Sequence, residues 1–369
     1  MGKPRQESLD EVIYAAEFLR WFSEETIRVN GMTRTAPNGD SRIFTLKEPV
    51  GPCLLVTPWN FPLAMGTRKI GPALAAGCTA IVKPATHTPL SMNALGSIFV
   101  DAGLPAGVLS ILPTSNSPSV VAALTADARL RKLSFTGSTE VGKILAAQAA
   151  QNVLRLSLEF GGNAPLIVCK DADIDRAVTE TVKAKLRNNG EACTAANVIY
   201  AHRDIADQYS TALAKRFDEL VVGPGSDTST TVGPLIDHRA VRKVEELVED
   251  AINKGARTLS CLDTPSTGSY CSPSVLGDVP DHARLIQEEI FGPVAPIVTW
   301  DDETALIAGL NESPYGLAGY LFHPRPRHSP PAQREPASRH ASHQPRSTLQ
   351  RGSPLRRPKT KRIRPRRWR

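Results

Sequence analysis

Apolar and polar positions alternate along this chain with two periods. Leu9, Val12, Ile13, Ala16 and Leu19 recur at the spacing of one helix face. Ser8-Leu9-Asp10-Glu11 has the Ser-x-x-Glu form of a capping box, which predicts that this helix starts at Ser8. Residues 33–48, centred on Pro37-Asn38-Gly39-Asp40, predict a hairpin whose turn is set by Asn-Gly. Strands at 50–57, 78–83, 108–112 and 131–135 then each precede a helix, at 63–76, 90–102, 118–126 and 139–150. Runs such as Leu54-Leu55-Val56 and Ile81-Val82 have no polar face, so both sides of these strands are expected to be buried. The pattern predicts an α/β fold, with a Rossmann-like parallel sheet covered by helices over 1–161. A second α/β domain is expected over 162–322, with strands near 165–169, 197–201 and 294–299 and helices near 173–187, 204–220 and 238–253.

At His323 the pattern stops. Residues 323–369 hold nine prolines, 15 Lys/Arg and a single acid, Glu335. They cannot bury enough apolar surface to offset their ordering entropy, and a disordered basic tail is expected. This changes the meaning of the net charge of +7. Of 44 Lys/Arg and 37 Asp/Glu, the first 322 residues keep 29 and 36, a net of −7. The basic excess belongs to the tail, whose only aromatic residue is Trp368, so no specific nucleic-acid partner is expected. The six cysteines are scattered with no CxxC pair, which speaks against a metal site or a disulfide framework and suits a reducing cytoplasm. No apolar run approaches the ~18 residues of a membrane span, and Met1-Gly2-Lys3-Pro4 leads into no signal-peptide segment.

Three segments carry candidate chemistry. Arg187-Asn188-Asn189-Gly190-Glu191-Ala192-Cys193 places a cysteine in a glycine-containing loop after a helix, where it is either a buried structural thiol or an exposed nucleophile. Leu158-Glu159-Phe160-Gly161-Gly162-Asn163 places a carboxylate at a strand end beside two glycines that permit close backbone approach, and such a Glu is either a solvated charge or a base. Thr57-Pro58-Trp59-Asn60-Phe61-Pro62 fixes an Asn at the end of the first apolar strand, where it either bonds local backbone or donates to a developing oxyanion.

Together with Phe135-Thr136-Gly137-Ser138-Thr139-Glu140-Val141-Gly142, Lys83-Pro84-Ala85 and Glu288-Glu289-Ile290-Phe291-Gly292-Pro293-Val294, these segments resemble the aldehyde dehydrogenase superfamily over residues 8–322. The resemblance implies a cofactor domain over 1–161, a catalytic domain over 162–322, and a cytoplasmic enzyme oxidising a small aldehyde. Cys193 is then the nucleophile that forms a thiohemiacetal, and Asn60 and the Cys193 N–H hold its oxyanion. Hydride loss to a nicotinamide leaves a thioester, which Glu159 hydrolyses by activating water. Gly137 and Ser138, otherwise an ordinary helix start, resemble the family's phosphate contact. Lys83 resembles the lysine at the adenosine ribose, Glu289 the carboxylate on the nicotinamide ribose, and Phe291 its neighbour beside the ring. Trp59, next to Asn60, reads as packing at the cofactor site. At Thr86 the chain departs from the Lys-Pro-Ala-Glu of many NAD-preferring relatives. That removes a carboxylate that would repel a 2′-phosphate, so NADP acceptance, alongside NAD, is expected.

Within the superfamily the segment from Pro58 to Lys69 resembles the succinate-semialdehyde dehydrogenase group. There Arg68 and Arg187 match two arginines that grip the substrate's distal carboxylate, and without the resemblance both read as surface or packing residues. Position 195 is Ala, so the disulfide switch of some members is not expected. The chain begins well inside the family pattern and leaves it after Phe322. The tail therefore reads as a shifted frame, and an inactive product with an anion-binding tail is the rival reading. The 33–48 hairpin resembles part of the family's oligomerisation arm, but its partner strand falls beyond the resemblance, so homo-oligomer assembly is not expected.

Overall fold

The computed structural model describes residues 1–323 and the short strand Ala341–Ser342. The expected disordered tail lies outside the described residues, apart from His323 and that strand. The chain divides into two compact bodies, one of Leu9–Phe160 and one in which Met1–Ser8 joins the residues from Gly161 onward.

In the first body, α1 (Arg5–Glu25) leads to a hairpin of β1 (Met32–Thr35) and β2 (Arg42–Thr45). The chain then alternates β3 (Cys53–Val56), α2 (Ala64–Ala75), β4 (Ala80–Lys83), α3 (Pro89–Asp101), β5 (Leu109–Ile111), α4 (Ser117–Ala126), β6 (Lys132–Gly137), α5 (Thr139–Ala150) and β7 (Arg155–Phe160). The five strands form a parallel sheet in the order β5-β4-β3-β6-β7. Strand order reverses between β3 and β6, the place where doubly wound sheets open a ligand crevice. Cys53 and Leu55 of β3 point into one core with Ile70 and Met92, whereas Leu54 and Val56 point into another with Val121 and Leu145. That two-sided burial explains the wholly apolar strands, each large side chain contributing about 1.5–3 kcal/mol.

Two expectations at the start of the chain are corrected. The helix begins at Arg5, so Ser8 lies inside it and its hydroxyl bonds the Pro4 carbonyl (3.4 Å). Glu11 is buried and caps a different helix: Leu63 and Ala64 donate their N–H groups to its Oε1 (2.8 and 3.1 Å) at the start of α2. The face bearing Leu9, Val12 and Ile13 is exposed. Glu11, Ala15 and half-buried Tyr14, Phe18 and Phe22 face inward instead, because aromatic rings fit the close approach that Gly71 allows on α2.

The second body contains β8 (Ala164–Val168), α6 (Ile174–Leu186), β9 (Ala196–His202), α7 (Ala206–Asp218), α8 (His238–Asn253), β10 (Arg257–Cys261), β11 (Ser274–Gly277), α9 (Arg284–Gln287), β12 (Val294–Trp300), α10 (Glu303–Glu312), β13 (Gly319–Phe322) and β14 (Ala341–Ser342). Its sheet runs β10-β11-β12-β9-β8-β13-β14, parallel except at the β10–β11 edge. One face packs Leu166, Ile199, Tyr209 and Phe217, and the other packs Val198, Val244, Leu247 and Leu276.

Candidate active site

The Cys193 loop is built from a run of unusual backbone. After α6, Asn188 (φ 54°), Asn189 (φ 58°) and Gly190 (φ 81°) are all left-handed. Asn and Gly are the residue types that tolerate this region, so Asn-Asn-Gly is the local reason the turn forms. The Asn188 N–H donates to Glu7 Oε2 (2.7 Å). Asn189 accepts from the Gly233 N–H (2.8 Å) and donates to the Pro234 carbonyl (3.1 Å). A side chain at Gly190 would place its Cβ 2.2 Å from the Gly292 oxygen. Glu191 is completely buried, and its Oε1 accepts from the Ile236 N–H (2.9 Å). Cys193 follows in a tight turn closed by the Ala195 N–H on the Ala192 carbonyl (2.9 Å), just before β9. Its thiol and the Arg187 side chain are half-buried.

The paired glycines after β7 have a visible purpose. A Cβ on Gly162 would sit 2.8 Å from the Cys193 carbonyl, and one on Gly161 would sit 2.3 Å from the Glu289 carboxylate. Glu289 accepts from the Gly162 N–H (3.1 Å), and Lys243 donates to its carbonyl (2.7 Å). Burial raises the Glu289 carboxyl, opposed by that N–H and by Lys243 and Lys185. Phe291 is half-buried at φ 57°, a strained backbone for a bulky residue. The second body thus gathers Cys193, Gly162 and Glu289. Asn197 holds this loop: it accepts from the Ile290 N–H (2.9 Å) and donates to the Glu288 carbonyl (3.0 Å) and to Asn163 Oδ1 (2.8 Å).

In the first body, Asn60 is buried in the turn after β3, and its amide oxygen accepts from the Phe61 N–H (3.1 Å). Trp59 is half-buried, and its carbonyl accepts from the Thr88 hydroxyl (3.4 Å). Arg68 donates to the Tyr14 hydroxyl (2.7 Å), with its guanidinium 4.9 Å from the Phe18 ring centre. Packing against α1 is therefore one of its functions. Lys69 is buried and donates to Ser134 Oγ (2.9 Å). Burial pushes its ammonium down to about 7, opposed by Glu159. Burial likewise raises the half-buried Glu159 carboxyl, opposed by Lys69 and Arg68. Arg68, Lys69 and Glu159 thus form one electrostatic group.

At the carboxyl ends of the strands, Lys83 is buried, which lowers its ammonium. Thr86 is exposed, and its hydroxyl donates to the Thr114 carbonyl (3.1 Å). Gly137 ends β6, and Ser138 caps α5 by accepting from the Val141 N–H (3.4 Å). Thr57 and Thr136 have buried hydroxyls with no hydrogen-bond partner among the described residues. They lie one residue beyond the paired Val56 and Phe135, at the switch between β3 and β6. Two unsatisfied donors at that point fit a polar ligand in the crevice.

Sequence reasoning passed over Lys69, Glu191, Asn197, Thr57 and Thr136 as individual residues. Lys69 had a signal, since it interrupts the otherwise apolar face of α2 between Met65 and Ile70. The others had none, because their partners are distant in sequence.

A parallel α/β sheet whose strand order reverses between β3 and β6, and a second α/β body bearing a cysteine after a left-handed turn, are the two bodies of the described chain. Residues 1–330 match the aldehyde dehydrogenase family, and the chain belongs to it. It is 49% identical over 325 residues to a succinate-semialdehyde dehydrogenase of Paenarthrobacter nicotinovorans, covering 87% of this chain and 72% of that protein. It is 45% identical over 322 residues to an NADP(+) succinate-semialdehyde dehydrogenase of Escherichia coli, covering 87% of this chain and 67% of the relative. The crystal structure of succinate-semialdehyde dehydrogenase from Burkholderia pseudomallei superposes with a TM-score of 0.86 at 43% identity, covering 88% of this chain and 67% of that one.

Proposed function

We propose that this chain oxidises an ω-carboxy aldehyde, succinate semialdehyde or a near homologue, to the diacid with NAD or NADP. Cys193 carries the reading: its half-buried thiol sits on a turn whose preceding backbone is held at three successive residues. The thiolate attacks the aldehyde carbon, forming a C–S bond, and the oxygen takes the negative charge. Asn60 Nδ2 and the Cys193 N–H are the donors assigned to that oxyanion. When bound, a nicotinamide would supply the hydride acceptor that lets the Cys193 adduct become a thioester. Glu159 then takes a proton from water, which attacks the thioester and releases the acid and the thiol. Its raised carboxyl supports the base role, because a base works best with a pKa near the working pH.

Thr57 and Thr136, with Gly137 and Ser138 at the start of α5, support dinucleotide binding in the switch-point crevice. Lys83, Glu289, Phe291 and Trp59 complete the assigned contacts. Thr86 places a hydroxyl where a carboxylate would repel a 2′-phosphate, so NADP is accepted at least as well as NAD. Arg68 and Arg187 are assigned to the substrate carboxylate. Among the described residues no helix is long and apolar enough to cross a membrane, and a cytoplasmic location belongs to this reading. The test is NADPH formation by the purified chain with succinate semialdehyde, compared with NAD and with Cys193→Ala. Turnover that survives in the variant overturns the nucleophile assignment, and a clear preference for NAD overturns the role of Thr86.

A further inference from the structure

The turn that carries Cys193 is met by a strand with no part in the chemistry above. Tyr320 is the second residue of β13 and is 5% exposed. Its hydroxyl donates to the carbonyl of Thr194 (2.5 Å), 126 positions earlier and one residue after Cys193. β8 lies between β13 and β9 in the sheet, so the phenol reaches past one strand to the segment that enters β9. A buried tyrosine hydroxyl usually finds a partner, and many carbonyls could serve. The carbonyl it meets belongs to the Ala192–Ala195 turn, where the Ala195 N–H donates to the Ala192 carbonyl (2.9 Å). The peptide between Thr194 and Ala195 is thus held at both ends. The preceding carbonyl, that of Cys193, is closely approached as well. A Cβ on Gly162 would lie 2.8 Å from it and 3.4 Å from Leu317 Cβ, three residues before Tyr320.

We propose that Tyr320 is a positioning residue for Cys193: its hydroxyl pins the peptide after Thr194 and so fixes the direction of the Cys193 thiol and N–H. With the Cys193 and Thr194 carbonyls both committed, the backbone of these two residues has little freedom to turn. A nucleophile gains from such restraint, because attack needs the sulfur held in one direction toward the aldehyde carbon. Phenylalanine at this position would fill the same space in the core and lack the donor, so the turn would keep its packing and lose its pin. For its catalytic consequence the inference rests on the assignment of Cys193 as the nucleophile.

The experiment compares wild type with Tyr320→Phe in the full chain by two readouts. In steady-state oxidation of succinate semialdehyde with NADP, kcat is expected to fall about fivefold with KM within about twofold, because a misdirected thiol slows attack without changing what holds the substrate. In alkylation by iodoacetamide, read peptide by peptide with mass spectrometry, Cys193 is expected to react about fivefold faster as the turn opens more often. Cys261, exposed on the edge strand β10, should keep its rate and so serves as the internal control. No selective rise at Cys193, or a KM that climbs as kcat falls, overturns the positioning role. A variant that does not fold overturns it too, by making Tyr320 a residue of the core alone. The alkylation uses no aldehyde or cofactor, so it decides the role of Tyr320 even if the wild type fails to oxidise aldehyde.

Discussion

At the scale of single residues, the unusual groups in the first body are ionisable side chains placed where water is scarce. Lys69 is the sharpest case, with its ammonium pushed from 10.5 down to about 7 mainly by burial. Between these two values the unfolded chain binds more protons than the folded one, so this residue makes stability rise with pH across that window. Below about 7 both states are protonated and the penalty is constant. Lys69→Met removes the penalty. The melting-temperature advantage of the variant is therefore expected to grow as pH falls from 10.5 to about 7 and then level off. The same substitution removes the cation that opposes the burial of Glu159, so the acid limb of the activity profile should move to higher pH. An unchanged profile would separate Lys69 from Glu159. The sequence marks Lys69 only as a basic residue interrupting the apolar face of α2, and neither its burial nor its coupling to Glu159 is legible there.

At the scale of elements, the inner parallel strands β3, β4, β6, β9 and β12 were legible because they are buried on both faces, which writes a nearly uninterrupted apolar run. β10 and β13 were not. Arg257-Thr258-Leu259-Ser260-Cys261 lies at a sheet edge with exposed positions, and Gly319-Tyr320-Leu321-Phe322 is too short to show a period. The start of α2 shows how a correct motif misleads: Glu11 is a capping residue, but for a helix 52 positions further on. α2 has no side-chain cap of its own, so the two N–H groups held by Glu11 have no local substitute. Glu11→Ala is expected to cost about 1.5–3 kcal/mol, the range for hydrogen bonds to a charged group. Urea unfolding with an unchanged m-value measures it. A loss within a few tenths of a kcal/mol would mean that the helix start finds another partner.

At the scale of the whole molecule, residues 1–322 carry a net charge of −7, yet the proposed substrate and cofactor are anions. Local cations must therefore overcome an unfavourable average field. Arg68 already serves α1 through Tyr14 and Phe18, and Arg187, six residues before Cys193, gives a second test of carboxylate recognition. Arg187→Met should raise KM for succinate semialdehyde about tenfold or more, with little change for an uncharged aldehyde of similar length. Equal losses for both substrates would make Arg187 a packing residue. The amino-acid sequence by itself determined the α/β class, the positions of the inner parallel strands and the identity of the Cys193, Glu159 and Asn60 segments. Burial periodicity and short motifs are local properties, and they survive in one dimension. Only the tertiary structure decided that Glu11 caps α2, that Gly161 and Gly162 make room for Glu289 and the Cys193 carbonyl, and that Lys69 and Glu191 are buried. Each of these depends on which distant segment displaces the water around a polar group, and that is fixed when the chain packs.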